Sequence, residues 1–170
     1  HRFHDCSLTP FVQSARHAMA IDERRRTFPV VQWEEVEALN RARGFSSEDP
    51  RAPYQQKWFP GDHGSVGGGG TIRGLSDGAL GWVGKGAKDA GLKMDIGPET
   101  RIFDFNPYFR APLANTETPK TGLMYRFLAD RAGPEALWEV SAAARRRWCE
   151  APEMLPEKTA YRPKTLAGVG

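Results

Sequence analysis

The spacing of apolar positions changes several times along the chain, and each change predicts an element. In TPFVQSARHAMAID (9–22), Val12, Ala15 and Met19 recur at helical spacing behind Thr9 as a cap and Pro10 at the first helical position. That pattern predicts an amphipathic helix. FPVVQW (28–33) is β-branched and aromatic and predicts a strand, whereas EEVEALNRAR (34–43) predicts a helix. GFSSEDPRAP (44–53) is a polar, turn-rich loop. QQKWFP (55–60) predicts a second strand, which runs into the glycine-rich stretch GDHGSVGGGG (61–70).

Helical periodicity resumes in LSDGALGWVGKGAKDAG (75–91) through Leu75, Ala79, Val83 and Ala87. Gly78, Gly81, Gly84 and Gly86 weaken this helix intrinsically, so it needs tertiary packing. PEALWEVSAAARRRWC (134–149) predicts the strongest helix, with Pro134 at its start and Leu137, Val140, Ala144 and Trp148 along one face. The tail from Pro152 is irregular, and no internal repeat is present.

Strand, loop and helix in this order suit an α/β layered fold. At 170 residues the chain is one domain by length. Two strand candidates are too few for a doubly wound sheet. Either further strands are hidden in the pattern, or the rest of the sheet belongs to other sequence. The opening HRFHDCSLTP has no initiating Met and no signal-peptide pattern, which leads us to expect a processed product or a fragment. No apolar run approaches the roughly 18 residues of a membrane span.

Charge narrows the picture little. The formal net charge of +3 is spread over the chain, with dense clusters only at Arg24–Arg26 and Arg145–Arg147. Each cluster falls near the end of a predicted helix, where solvated cations complement the dipole; a nucleic-acid or lipid-phosphate patch is the other reading. Cys6 and Cys149 are too few and too far apart for a disulfide framework or a paired-cysteine metal motif, which favours a reducing compartment.

The chemistry centres on His63, a single imidazole among glycines directly after a strand. A catalytic base and an exposed loop histidine both fit that position. A loop between strand and helix is where α/β-hydrolases carry their base, and Gly61 and Gly64 leave the ring reachable. The run Gly67–Gly70 fits neither phosphate-cradling glycine pattern. The G-x-S-x-G spacing falls only at Gly74-Leu75-Ser76-Asp77-Gly78, at the start of a predicted helix and not directly after a strand, so no nucleophile elbow is read. Ser46, after Gly44-Phe45, and Ser65, after His63-Gly64, are only near misses. Cys6 precedes a predicted helix without a base placed for it, and H-x-x-H-D at His1, His4 and Asp5 has the wrong spacing for a helical metal pair. No cofactor and no metal are expected.

Longer blocks, taken together, carry more information. FHDCSLTPFVQSARHAMAIDERRRTFPVVQW (3–33), QKWFPGDHGSVGGGG (56–70), LSDGALGWV (75–83) and YRPKTL (161–166) occur in this order. They resemble, in the same order, the α/β-hydrolase domain of bacterial type VI secretion phospholipase effectors. Residues 97–150 contribute least to the likeness.

The resemblance implies a Ser-Asp-His triad whose histidine is His63. It also implies that the serine elbow and the aspartate strand lie upstream of the FHD block. On that basis residues 1–170 are the C-terminal part of one α/β-hydrolase-like domain: a portion of a mostly parallel sheet with flanking helices. Two local departures occur, Ser65 where the family usually has Asp, and Asp62 where it has an apolar residue.

The implied enzyme is a serine esterase or phospholipase, active when complete and inactive as this chain alone. The alternative is a non-catalytic remnant or interaction piece that keeps the fold. The partners implied are the N-terminal part of the same domain, a lipid or other ester substrate, and an immunity or secretion-apparatus protein, with no nucleic acid. The implied location is the producer's cytoplasm, followed by export through the type VI system.

Overall fold

The computed structural model describes residues 7–94, 105–117, 122 and 127–169. At its centre two strands, β1 (Ala15–Ala20) and β2 (Tyr54–Phe59), run parallel in the register Ala15 opposite Tyr54 through Ala20 opposite Phe59. Between them lies α1 (Val36–Ala42). After β2 come a one-turn helix α2 (His63–Gly67), the longer α3 (Gly74–Asp89) and, near the end, α4 (Ala142–Trp148).

Side chains alternate across a strand, and the two faces of the pair bury different cores. Ala18, Ala20 and Phe59 pack with Val66, Ala79 and Trp82 from α2 and α3. Met19 and Trp58 face the other way, into Val140, Ala144, Leu155, Tyr161 and Leu166 from α4 and the tail. The architecture is therefore α/β, a parallel strand pair with helices on both sides. Pairing continues past the strand ends: Ile21 N–H donates to the Phe59 carbonyl at 2.9 Å and Asp22 N–H to the Gly61 carbonyl at 3.0 Å. This extension sets Asp22 and Glu23 beside the glycine-rich turn.

The expectations for 34–43, 55–60 and 75–91 match α1, β2 and α3. Three others need correction. The helix expected over 9–22 is instead the strand β1, preceded by a turn at Pro10 and Phe11. Alanine, methionine and arginine favour helix, but pairing with β2 overrides that weak preference. The strand expected over 28–33 is irregular. Its Trp33 finds its backbone partners on a side chain, because Trp33 N–H donates to Gln56 Oε1 (2.8 Å) and Gln56 Nε2 donates to the Trp33 carbonyl (2.9 Å).

The helix expected over 134–149 breaks in two, a 3-10 turn at Leu137–Glu139 and then α4. The break lies at Val140, which is extended and bridges Trp58, while Ser141 caps α4 by accepting from Ala144 N–H at 3.2 Å. Burying Val140 against the sheet outweighs the continuous helix its spacing suggested.

The arginine runs divide: Arg145–Arg147 do fall in the last turn of α4, whereas Arg24–Arg26 end no helix. Arg25 pairs with Glu23 at 2.6 Å in a segment that is not helical, and Arg147, in the last turn of α4, is fully buried. No helix among the described residues is long and apolar enough to cross a membrane.

Candidate active site

His63 is the first residue of α2, four positions beyond the last residue of β2. Ligands gather beyond the carboxyl ends of parallel strands, so this is the chemically favoured edge. The turn begins at Gly61, which has φ +106°, and an added Cβ there would lie 2.5 Å from the Ser65 Cβ. Asp62 follows and caps α2, its Oδ1 accepting from Ser65 N–H at 2.9 Å. Gly70 closes the turn under the carbonyl of Asn115, where an added Cβ would lie 1.9 Å from that oxygen. The glycines around His63 thus answer to close backbone approach as much as to access for a ligand.

The two departures from the resembled loop fit each other. Asp62 supplies the capping carboxylate, and Ser65 Oγ lies 3.0 Å from its Oδ1. Ser65 is buried, and its hydroxyl donates to the Leu113 carbonyl at 2.6 Å. A serine so placed anchors a loop. Ser46, the other near miss, has its Oγ 3.3 Å from Glu48 N–H in a surface turn.

Two acidic residues from the end of β1 hold the histidine turn. Glu23 accepts the backbone N–H of His63 at 3.2 Å, one of the first-turn donors a helix cannot satisfy itself. Its carboxylate is gripped by Arg25 through Nε at 2.9 Å and through a terminal nitrogen at 2.6 Å. Burial alone raises the Glu23 pKa, but hydrogen bonds from the Arg25 side chain, the Arg25 backbone and the His63 N–H hold it at about 2.

Asp22 accepts from Gly61 N–H at 2.7 Å and from the Tyr161 hydroxyl at 2.8 Å, both on Oδ2. Burial pushes its pKa up in spite of those donors and of nearby Arg147. Three separated sequence blocks, AIDE, WFPGDH and YRPKTL, therefore meet at one carboxylate.

The His63 ring itself is exposed and packs 5.0 Å from the ring of Phe28, which in turn lies under the Arg25 guanidinium at 4.0 Å. Among the described residues neither ring nitrogen of His63 has a hydrogen-bond partner. The imidazole borders a cleft of about 450 Å³ whose other walls are mostly apolar, including Ala18, Ala20, Val66, Leu80 and Val83. Gly67–Gly70 line the same cleft, as does Arg73, which pairs with Asp77 at 3.2 Å. A base beside an apolar cleft can serve proton transfer on a substrate with a hydrocarbon portion.

Of the residues considered from sequence, His63 and Ser65 share the turn, while Ser46 lies elsewhere. Cys149 is a free, exposed thiol, and His1, His4, Asp5 and Cys6 fall outside the described residues. Among the described residues no group of three His, Cys, Asp or Glu side chains could hold a metal ion.

Asp22, Glu23 and Tyr161, which hold the turn, are not singled out by the sequence, and Arg147 stands out there only as part of a cationic run at a predicted helix end. The available signal was modest: a carboxylate pair directly after an apolar run, and a tyrosine opening the last of the ordered blocks.

The family model described as "T6SS, Phospholipase effector Tle1-like, catalytic domain" matches residues 1–85, a span that contains β1, β2 and His63. No curated protein and no solved structure matches the chain.

Proposed function

This chain belongs to the Tle1-like phospholipase effector catalytic-domain family of type VI secretion, and from that premise we propose that it supplies the general base, His63, of a serine-dependent phospholipase. The single observation that carries the reading is the placement of His63. It lies just beyond the carboxyl end of a parallel strand, with its backbone fixed by Glu23 and its ring free beside an apolar cleft.

In this reading the two strands are part of a larger α/β-hydrolase sheet, and residues 1–170 are the C-terminal part of that domain. The serine and the triad aspartate come from sequence on the N-terminal side. A neutral ring nitrogen of His63 accepts the serine hydroxyl proton as the oxygen attacks the ester carbonyl. The C–O bond to the lipid alcohol then breaks, and the imidazolium returns that proton to the departing alkoxide. Water repeats the cycle on the acyl-enzyme, releasing the fatty acid and the free serine. The apolar wall of Ala18, Ala20, Val66, Leu80 and Val83 offers room for an acyl chain. Delivery by the type VI system, an immunity partner and independence from a cofactor belong to the same proposal.

A second reading, a fold-keeping piece without chemistry, is favoured by the state of the one G-x-S-x-G serine: Ser76 lies inside the first turn of α3, buried, with its hydroxyl donating to the Arg73 carbonyl at 2.9 Å. Treatment with a serine-directed fluorophosphonate separates the two. Labelling of the complete protein, but not of the 170-residue chain, supports the split triad. Absence of labelling and of phospholipid hydrolysis in the complete protein defeats it.

A further inference from the structure

We propose that Arg147 and Glu157 are positioning residues that brace the His63 turn from behind, through Leu113 and Ser65. The inference rests on His63 being the general base, and it adds residues that lie outside the span matched by the family model.

The need for a brace follows from the local structure. α2 has five residues, too few to stand on helical hydrogen bonds alone. The glycines that follow it contribute no side-chain packing. The orientation of His63 must therefore come from contacts on either side of it. On the near side, Asp22 holds Gly61 and Glu23 holds the His63 N–H. On the far side the hold is Ser65, two residues past the imidazole, which donates to the Leu113 carbonyl.

Leu113 belongs to a segment without regular secondary structure, and something must fix it in turn. Its N–H donates to Glu157 Oε1 at 3.0 Å. Glu157 Oε2 accepts from an Arg147 terminal nitrogen at 2.5 Å. The other terminal nitrogen of Arg147 donates to the carbonyls of Phe109 (2.8 Å) and Ala111 (2.7 Å), which precede Leu113 in the same segment.

Arg147 thus grips that segment twice directly and once through Glu157. It is fully buried, although Arg145 and Arg146 beside it are exposed. A buried guanidinium is costly unless its donors are satisfied. Both terminal nitrogens of Arg147 are bonded, while its buried Nε has no partner among the described residues. A planar fork suits carbonyl and carboxylate acceptors together. Its guanidinium also lies 5.3 Å from the ring of Tyr161, the residue that donates to Asp22. The C-terminal segment therefore reaches both ends of the histidine turn.

Removing Arg147 risks unfolding, so the test uses Glu157 and Ser65. In the 170-residue chain, amide hydrogen exchange is followed over His63–Val66 and over β2. Glu157→Ala should speed exchange at the turn about tenfold and leave β2 unchanged. In the complete protein, Glu157→Ala and Ser65→Ala should each lower kcat about tenfold at unchanged KM. The double variant should be no slower than the worse single, because both cut one chain of contacts. Glu157→Gln, whose amide offers one acceptor where the carboxylate offers two, should recover only part of the lost rate.

Additive losses in kcat, unchanged exchange at the turn, or a rate loss that merely tracks the unfolded fraction would overturn the brace. If His63→Ala keeps full turnover, the reading of His63 fails instead, and the exchange experiment alone decides whether the brace holds the turn.

Discussion

The backbone N–H of His63 donates to Glu23 Oε2 at 3.2 Å across 40 positions of sequence, so the end of one strand sets the residue that follows the other. The carboxylate making that bond is held at about 2 against an ordinary 4.5. A folded-state pKa below the unfolded one contributes stability that is complete above the unfolded value and is lost as pH falls toward the folded value. Glu23 should therefore account for part of the acid destabilisation between pH 4.5 and about 2. Denaturant unfolding across that range should show a shallower fall for Glu23→Gln than for the wild type, and parallel curves would contradict the assignment.

Asp22 should behave with the opposite sign. Burial raises its pKa above 3.8, so its charge disfavours the fold, and its contribution worsens as pH rises from the unfolded value through the folded one. Both of its donors converge on a single oxygen, which an asparagine amide oxygen can replace. Asp22→Asn should thus be at least as stable as the wild type at neutral pH. Tyr161→Phe, which leaves the carboxylate with one donor fewer, should cost about 1–2 kcal/mol. Melting curves of the two variants at neutral pH test the pair, and a severe loss in Asp22→Asn would mean that the charge itself is needed.

Glycines of the turn should separate by what lies above them. An alanine Cβ at Gly70 meets the Asn115 carbonyl oxygen at 1.9 Å, whereas at Gly67 it meets nothing within 4 Å. Gly70→Ala should destabilise by about 1–3 kcal/mol, and Gly67→Ala should stay within about 0.5 kcal/mol of wild type. Equal melting temperatures for the two variants would show that the Asn115 segment yields at no cost.

Local signals were legible in the sequence and long-range ones were not. β2, α1 and α3 follow from their own residues: an aromatic run, an apolar periodicity, and a periodicity that survives its glycines. β1 does not, because ARHAMA is made of helix formers and becomes a strand only beside Tyr54–Phe59. Conversely, FPVVQW has strand composition, but the Gln56 side chain occupies the Trp33 backbone that a neighbouring strand would need.

The site shows the same division. The sequence marks His63 as the candidate by its glycine setting and by the block around it. The roles of Asp22, Glu23 and Arg147 arise only when separated segments meet, and in the case of Arg147 the sequence suggests a solvated helix end where the fold buries a guanidinium.

The sharpest test of the site sets His63 against Ser65, two residues apart on one turn. The His63 ring is exposed, touches Phe28 and carries no hydrogen bond among the described residues, so Ala should cost less than about 1 kcal/mol of stability. If the ring is the general base of the complete enzyme, the same substitution should lower turnover by about two to four orders of magnitude. Ser65 presents the reverse arrangement: it is buried, with its hydroxyl committed to Leu113. Ser65→Ala should lower the melting temperature more than His63→Ala does, yet reduce turnover only about tenfold. Steady-state hydrolysis of a short-chain phospholipid, with thermal melts of each variant, reads both quantities. Near-normal turnover in His63→Ala would remove the histidine from the chemistry. Loss in Ser65→Ala equal to that in His63→Ala, with the fold intact, would instead make Ser65 the nucleophile and require the turn to open so that its hydroxyl leaves Leu113.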